Sequence, residues 1–235
     1  MTRTYKVTYR TYFNERLKEV SFHGKRTPPL YIQVTFDRKT IFFKSYYFEL
    51  FSKPRYMLLA AGKKKGPSIE DIISKENELI EFVIERTLDV FSLDQFKKTY
   101  LFYCQDLCDI TEVGFRDFLL TFFSDKGMPA VATMFWDGSM GKILFDIIQD
   151  LKLALKPDLY DELIENSFHY APPYIPLYGF MIEQKRWPLL SLTVKEWTDL
   201  KTKMTFERYI ARKYPNQDTK SLVERIDSWL KSSKV

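Results

Sequence analysis

The spacing of the hydrophobic residues changes once along this chain, from every second residue to about every 3.6 residues. The two-residue period covers residues 5–13 and 30–45, where large apolar side chains alternate with polar ones. Such alternation is typical of strands that bury one face. The longer period begins after residue 68 and is typical of helices that bury one side. The chain is therefore expected to be α+β, with a small three-stranded antiparallel sheet followed by a mostly helical body.

Three strands are predicted near the N-terminus, and the last two are separated by only two residues. The strands cover Tyr5–Phe13, Leu30–Phe36 and Lys39–Ser45. The dipeptide Asp37-Arg38 is short enough for a tight hairpin turn, so the strands should form an antiparallel meander. Residues 14–27 have no sustained period, and we predict a connection there.

The helices are predicted from their first residues. Ser68, Ser92, Thr111 and Thr193 are each expected to cap the start of a helix. Further helices are predicted over 139–155 and from Pro157 to about 166. By contrast, three prolines in residues 169–180 predict a rigid aromatic loop, because proline fixes φ and lacks an N–H.

Composition divides the chain into three predicted domains. A glycine- and lysine-rich linker at 62–67 ends a basic β-meander domain of residues 1–62. An acidic helical domain is expected over 68–168. The last domain, 169–235, combines the predicted loop with C-terminal helices.

The net charge of +5 conceals a strong division along the chain. Residues 1–65 contain 15 Lys+Arg against 4 Asp+Glu, residues 66–165 contain 9 against 20, and residues 166–235 contain 12 against 7. A basic segment of this kind suits a polyanion, because Lys and Arg displace counterions from phosphates. The basic ends could instead dock on the acidic middle of the same chain, and the sequence leaves both interpretations open.

Several function classes are disfavoured by what the sequence lacks. No run of about 18 apolar residues is present and charges interrupt the N-terminus, so we expect a cytoplasmic protein that does not bind membranes. Cys104 and Cys108 have no neighbouring ligand cluster and are interpreted as two buried thiols. There is no phosphate-binding loop or zinc-ligand spacing, so no cofactor or metal is predicted.

Three segments together resemble a known family. They are Pro29–Phe43, Glu76–Ile84 and Phe91–Phe96, and the likeness covers residues 5–107. The pattern resembles the N-terminal arm-binding region of tyrosine recombinases from mobile elements of Bacteroidetes-type bacteria. The resemblance implies a three-stranded sheet that lies in the major groove of DNA. The family's catalytic His-x-x-Arg box has one literal match, His23–Arg26, which precedes the sheet and is interpreted as a basic loop, so recombination is not expected.

Alternation also predicts which side chains would meet DNA. The residues expected to face the core are Val7, Tyr9, Leu30, Ile32, Val34, Ile41 and Phe43. The opposite face should present Lys6, Arg10, Gln33, Thr35 and Lys44. Arginine can bond guanine edges and glutamine adenine edges, so this face predicts a protein that binds double-stranded DNA without catalysis.

Basic residues outside the strands are expected to add sequence-independent contacts. They are Lys25, Arg26, Lys63, Lys64 and Lys65, all in flanks that we expect to be flexible. In that position they would bind phosphates.

A protein-interaction subunit is the first alternative. The aromatic segment 170–180, with Trp187, Trp197 and Trp229, could form a protein-binding surface. The same residues could equally pack in a core.

A metal-dependent nuclease is the second alternative. Pro157-Asp158 and Glu183-Gln184-Lys185 spell a PD-(D/E)xK signature, in which Asp158 and Glu183 would hold Mg²⁺ and Lys185 would orient the attacking water. That chemistry requires adjacent strands, whereas Pro157 also suits the first turn of a helix. We expect a binding protein rather than an enzyme.

Overall fold

The fold comes from a computed structural model, which describes residues 6–53, 56, 59–60, 63–64, 66–88, 91–139, 142–185 and 190–232. The chain divides into two compact units, Met1–Cys104 and Gln105–Val235. The first contains a three-stranded antiparallel sheet, and the second is built from helices. The predicted α+β class is confirmed.

The described part of the first unit combines seven short strands with three helices. In chain order they are β1 (Thr8–Phe13), β2 (Val20–Phe22), β3 (Lys25–Thr27), β4 (Leu30–Phe36), β5 (Lys39–Lys44), α1 (Tyr46–Phe51), β6 (Leu59–Ala60), β7 (Lys63–Lys64), α2 (Ile69–Thr87) and α3 (Leu93–Tyr103). The main sheet has the order β1-β4-β5, which is the predicted meander.

The hairpin between β4 and β5 turns at the predicted dipeptide. Both turn residues have positive φ, +47° for Asp37 and +62° for Arg38. Two positive values are characteristic of the type I′ turn, whose twist matches that of the flanking strands. β4 has the predicted bounds, β5 ends one residue early, and β1 begins at Thr8. Residue 5, where the first strand was predicted to begin, lies outside the described residues.

The turn predicts a stabilising substitution. A positive φ raises the conformational free energy of a non-glycine residue by about 1–2 kcal/mol, whereas glycine adopts it without this cost. Replacing Arg38 by glycine should therefore raise the free energy of unfolding of the first unit by about 1 kcal/mol, measurable as a higher melting temperature. Lys39→Gly, one residue later in the strand, is the matched control and should destabilise. Equal loss of stability in both variants would contradict the assigned turn.

Residues 14–27 contain more structure than predicted. Strands β2 and β3 pair as a short hairpin through His23 and Gly24, whose φ values are +50° and +79°. Three-residue strands are too short to show a hydrophobic period, which explains why the sequence did not indicate them. The imidazole of His23 packs against Phe22 and against Gly66, where an added Cβ would lie 2.9 Å from the ring.

Helices α2 and α3 pack on one face of the main sheet, which we call the inner face. Tyr9 donates a hydrogen bond of 2.6 Å from its hydroxyl to Glu81 of α2, and the ring of Phe43 lies 4.9 Å from that of Tyr100 on α3. These contacts make the two helices part of the sheet's own unit. The observed division after Cys104 therefore differs from the predicted boundaries at 62–68 and 168–169.

The described part of the second unit contains eight helices. They are α4 (Leu107–Asp125), α5 (Pro129–Gly138), α6 (Leu144–Ala154), α7 (Pro157–Tyr170), α8 (Tyr174–Gln184), α9 (Val194–Trp197), α10 (Leu200–Lys213) and α11 (Thr219–Ser232). The helix predicted over 139–155 is observed as α6, although it begins later, at Leu144. Helix α5 was not predicted.

Three predicted helix starts are confirmed and one is wrong. Ser68, Ser92 and Thr193 each accept a backbone N–H three residues later, and Thr193 with Glu196 forms a capping box. Thr111 instead lies inside α4, where its hydroxyl donates to the carbonyl of Leu107 at 2.6 Å. The helix is capped by Asp106, which accepts the N–H groups of both Asp109 and Leu192.

The rigid loop predicted at 169–180 is also wrong. Helix α7 continues to Tyr170 and α8 begins at Tyr174. Pro176 lies in the first turn of α8, where the N–H that proline lacks would have no partner within the helix. Proline is therefore compatible with this helix start.

Candidate nucleic-acid interface

The face of the main sheet opposite α2 and α3 is the candidate interface, and we call it the outer face. Strand register arranges its nine residues in three rows that cross all three strands. The rows are Tyr12–Tyr31–Lys44, Arg10–Gln33–Phe42 and Thr8–Thr35–Thr40. Four of the five side chains predicted for this face, those of Arg10, Gln33, Thr35 and Lys44, therefore lie on it.

The inner face carries the apolar set, as predicted. Ile32 and Val34 are fully buried, and Leu30 and Phe43 are nearly so. Alternation along each strand then directs the neighbouring polar residues to the outer face.

Arg10 is held in place by two neighbours on the outer face. Its Nε donates to Oε1 of Gln33 at 2.7 Å, and its guanidinium carbon lies 4.8 Å from the ring centre of Tyr12. The hydrogen bond to Gln33 uses the Nε–H of Arg10, and the contact with Tyr12 uses one face of its planar guanidinium group. The terminal nitrogens of Arg10 and the amide nitrogen of Gln33 remain as hydrogen-bond donors.

The other polar residues of the face are held more loosely. The hydroxyl oxygens of Thr35 and Thr40 lie 2.9 Å apart and share one hydrogen bond. Lys44 pairs with Glu49 of α1 at 3.2 Å, but both side chains are more than half exposed. An ion pair so exposed contributes little to stability, and Lys44 can exchange this partner for another anion.

Aromatic residues on the outer face were not among the predicted site residues. Phe42 is 56% exposed at the end of the central row, and Tyr12 and Tyr31 share the next row with Lys44. A concavity of about 500 Å³ runs beside Phe42, Arg10 and Gln33 to the loop residue Arg16. Phe42 lies between two inward-facing residues, so alternation alone could have identified it.

The remaining predicted contacts lie on other elements. Lys6 is exposed two residues before β1. Lys25 and Arg26 are exposed on β3, so the expectation that they lie in a flexible flank is wrong. Lys63 and Lys64 form β7, which pairs with β6, and Lys65 lies outside the described residues.

The placement needed for the nuclease signature is not found. Asp158 is exposed in the first turn of α7, and Glu183 lies on α8, where it forms an ion pair with Arg212. Lys185 follows α8 and pairs with Glu196. Both carboxylates therefore lie on helices, as Pro157 at a helix start indicated, and not on the adjacent strands that this chemistry requires. Among the described residues, no group of three His, Cys, Asp or Glu side chains could hold a metal ion.

The aromatic segment 170–180 does not form the predicted protein-binding surface. Tyr174, Tyr178 and Phe180 are buried in α8, and only Tyr170 is largely exposed. Trp197 is 1% exposed and belongs to the core, whereas Trp187 lies outside the described residues. The core-packing interpretation is the correct one for most of this segment.

Cys104 and Cys108 are buried and not joined by a disulfide, as predicted. Burial raises the pKa of the Cys104 thiol, which makes it a poor nucleophile.

No helix in the described ranges is long and apolar enough to cross a membrane. Comparison of the chain with protein-family models, with curated proteins and with solved structures found no match in any of the three.

Proposed function

We propose that the first unit binds duplex DNA through the outer face, without catalysis. The observation that carries this proposal is the strand register. It places Arg10, Gln33 and a row of three threonines side by side on a face that α2 and α3 leave uncovered. A related role in a mobile element follows only from the resemblance of residues 5–107 to recombinase arm-binding regions.

The dimensions of the sheet suit the major groove. Neighbouring strands lie about 4.8 Å apart, so three strands span about 10 Å, against a groove width of about 12 Å. The excess of 11 positive charges in residues 1–65 favours approach to the phosphates. Both properties support a β-ribbon that reads base edges from within the groove.

Each part of the outer face would have its own role. The terminal nitrogens of Arg10 suit the O6 and N7 atoms of guanine, and Gln33 holds the guanidinium in position while donating from its own amide. Phe42 is placed to contact a thymine methyl group. Lys44 and Lys6 lie at the margins, where they would bind phosphates.

Charge reversal on this face tests the proposal. The triple variant Lys6→Glu, Arg10→Glu, Lys44→Glu should lose duplex affinity by more than about a hundredfold, because base and phosphate contacts disappear together. Affinity is measured by fluorescence anisotropy on a labelled mixed-sequence duplex. The melting temperature should change little, since all three side chains are exposed.

A matched triple variant controls for net charge. Lys97→Glu, Lys98→Glu, Lys201→Glu changes the charge equally at exposed helical positions and should bind nearly as well as the parent. If both triple variants lose affinity to the same extent, DNA binding depends only on the net charge of the protein, and the outer face is not the site. If neither loses affinity, the face is misassigned.

A protein partner is the second candidate, and the exposure of Phe42 favours it. Salt distinguishes the two functions. Two neutralised phosphates would weaken DNA binding by about tenfold between about 50 and 200 mM salt, whereas an apolar protein interface would be nearly insensitive. A parent protein that binds no duplex at low salt would leave the protein partner as the better account.

A further inference from the structure

A cavity of about 730 Å³ lies in the second unit, between α6, α7, α8 and the end of α10. This volume falls in the range of small-molecule sites. Gly179 of α8 lines the cavity, and a Cβ at this position would lie 2.3 Å from the hydroxyl oxygen of Tyr209. The absence of a side chain at residue 179 therefore allows the Tyr209 ring to lie against α8.

Aromatic rings line much of the cavity. They belong to Phe145, Tyr160, Phe168, Tyr209 and Tyr214, which come from three helices and the turn after α10. The rings of Phe168 and Tyr214 meet edge to face with their centres 4.8 Å apart. Because the faces of aromatic rings carry negative potential, a cavity built from them attracts positively charged groups.

The three tyrosines of the cavity are neutral at physiological pH. Burial is the main cause that raises the pKa of Tyr160, Tyr209 and Tyr214 above the ordinary value. The hydroxyls of Tyr209 and Tyr214 are hydrogen-bonded to each other. The cavity therefore offers intact phenol rings rather than phenolates.

Two carboxylates of α7 are among the groups that line the cavity. Asp161 and Glu165 are one helical turn apart, and neither has an ion-pair partner in the part of the chain that the structure describes. Like charges at this spacing repel each other, and a bound cation would relieve the repulsion. The third carboxylate, that of Glu183, pairs with Arg212.

Two lysines, Lys152 and Lys213, also line the cavity, and both are exposed. Their long side chains can keep the ammonium groups in water. The carboxylate side chains are shorter, and they lie on the helix that also supplies Tyr160 and Phe168 to the cavity lining. We propose that this cavity binds a small organic cation, one that carries an alkylated ammonium group on an apolar body.

Two probes of the same shape test the charge requirement. Choline and 3,3-dimethyl-1-butanol differ in whether a cationic nitrogen or a neutral carbon carries the three methyl groups. Titration of the full chain followed by NMR should show choline binding at least about tenfold more tightly. Equal affinity for the two probes, or no binding of either at millimolar concentration, would overturn the proposal.

Variants on α7 locate the site. Asp161→Asn with Glu165→Gln should weaken choline binding by about tenfold and leave the alcohol unchanged, because only the cation interacts with the carboxylates. Asp158→Asn, on the same helix but outside the cavity, is the matched control and should bind like the parent. Choline binding that survives the double variant, or that the control also loses, would show that these carboxylates do not form the site.

Discussion

Replacing Trp197 with alanine should lower the free energy of unfolding of the second unit by about 3–5 kcal/mol. The indole is 1% exposed and meets the ring of Phe206 edge to face, with the ring centres 5.1 Å apart. Its Nε1 donates to Asp227 at 2.8 Å. The substitution removes a large buried surface, leaves a cavity and deletes this hydrogen bond. Asp227 keeps its ion pair with Lys203, so no charge is left unpaired.

Urea denaturation followed by far-ultraviolet circular dichroism measures this effect without relying on tryptophan fluorescence. Trp136→Ala is the matched control, because Trp136 lies on α5 of the same unit and is 39% exposed. The control should lose much less stability. Equal losses in the two variants would show that Trp197 is not part of the core.

The elements that the sequence predicted well are those whose signals are local. Strand β4, its turn at Asp37-Arg38 and the start of β5 are specified by neighbouring residues, because alternation and turn length act within one hairpin. The caps at Ser68 and Ser92 are also local, since each hydroxyl bonds a backbone N–H three residues later.

The errors concern residues whose role depends on position or on distant partners. Pro176 is compatible with α8 only because it lies in the first turn, and counting prolines does not show this. The start of α4 depends on Asp106, which also accepts the N–H of Leu192, 86 residues away. No local pattern reports a contact of that kind.

The sequence predicted the polar residues of the candidate site but not its aromatic residues. The polar residues of the outer face follow from alternation, but the aromatic residues at the same alternating positions were assigned to neither face. Phe42 and Tyr12 are aromatic and nevertheless lie beside Arg10 on the outer face. Position in the strand takes precedence over hydrophobicity here, and the exposed rings are part of what makes this face suitable for binding.

A buried carboxyl group joins the sheet to its two covering helices. Glu76 of α2 is fully buried and accepts hydrogen bonds from Ser45, just after β5, and from the hydroxyl of Tyr100 on α3 at 2.6 Å. Burial opposes the charged form more strongly than these donors favour it. The result is a pKa raised from 4.5 to about 7.

This raised pKa predicts that the first unit loses stability as pH rises. The neutral form of Glu76 stabilises the fold fully below about pH 4.5, and this contribution is lost as pH rises through the folded pKa of about 7. Over that window the loss should amount to about 3 kcal/mol. Glu76→Gln has no such titration, so its stability relative to the wild type should increase from pH 5 to pH 8.

The difference between wild type and Glu76→Gln is the quantity to measure, by urea denaturation at several pH values. Burial lowers the pKa of His23, which adds a pH dependence of opposite sign, but it affects both proteins equally and cancels in the difference. Glu85→Gln, exposed on the same helix, is the control and should follow the wild type. A stability difference between wild type and Glu76→Gln that does not vary with pH would mean that Glu76 is charged in the folded protein throughout. The hydrogen bonds that it accepts would then outweigh burial.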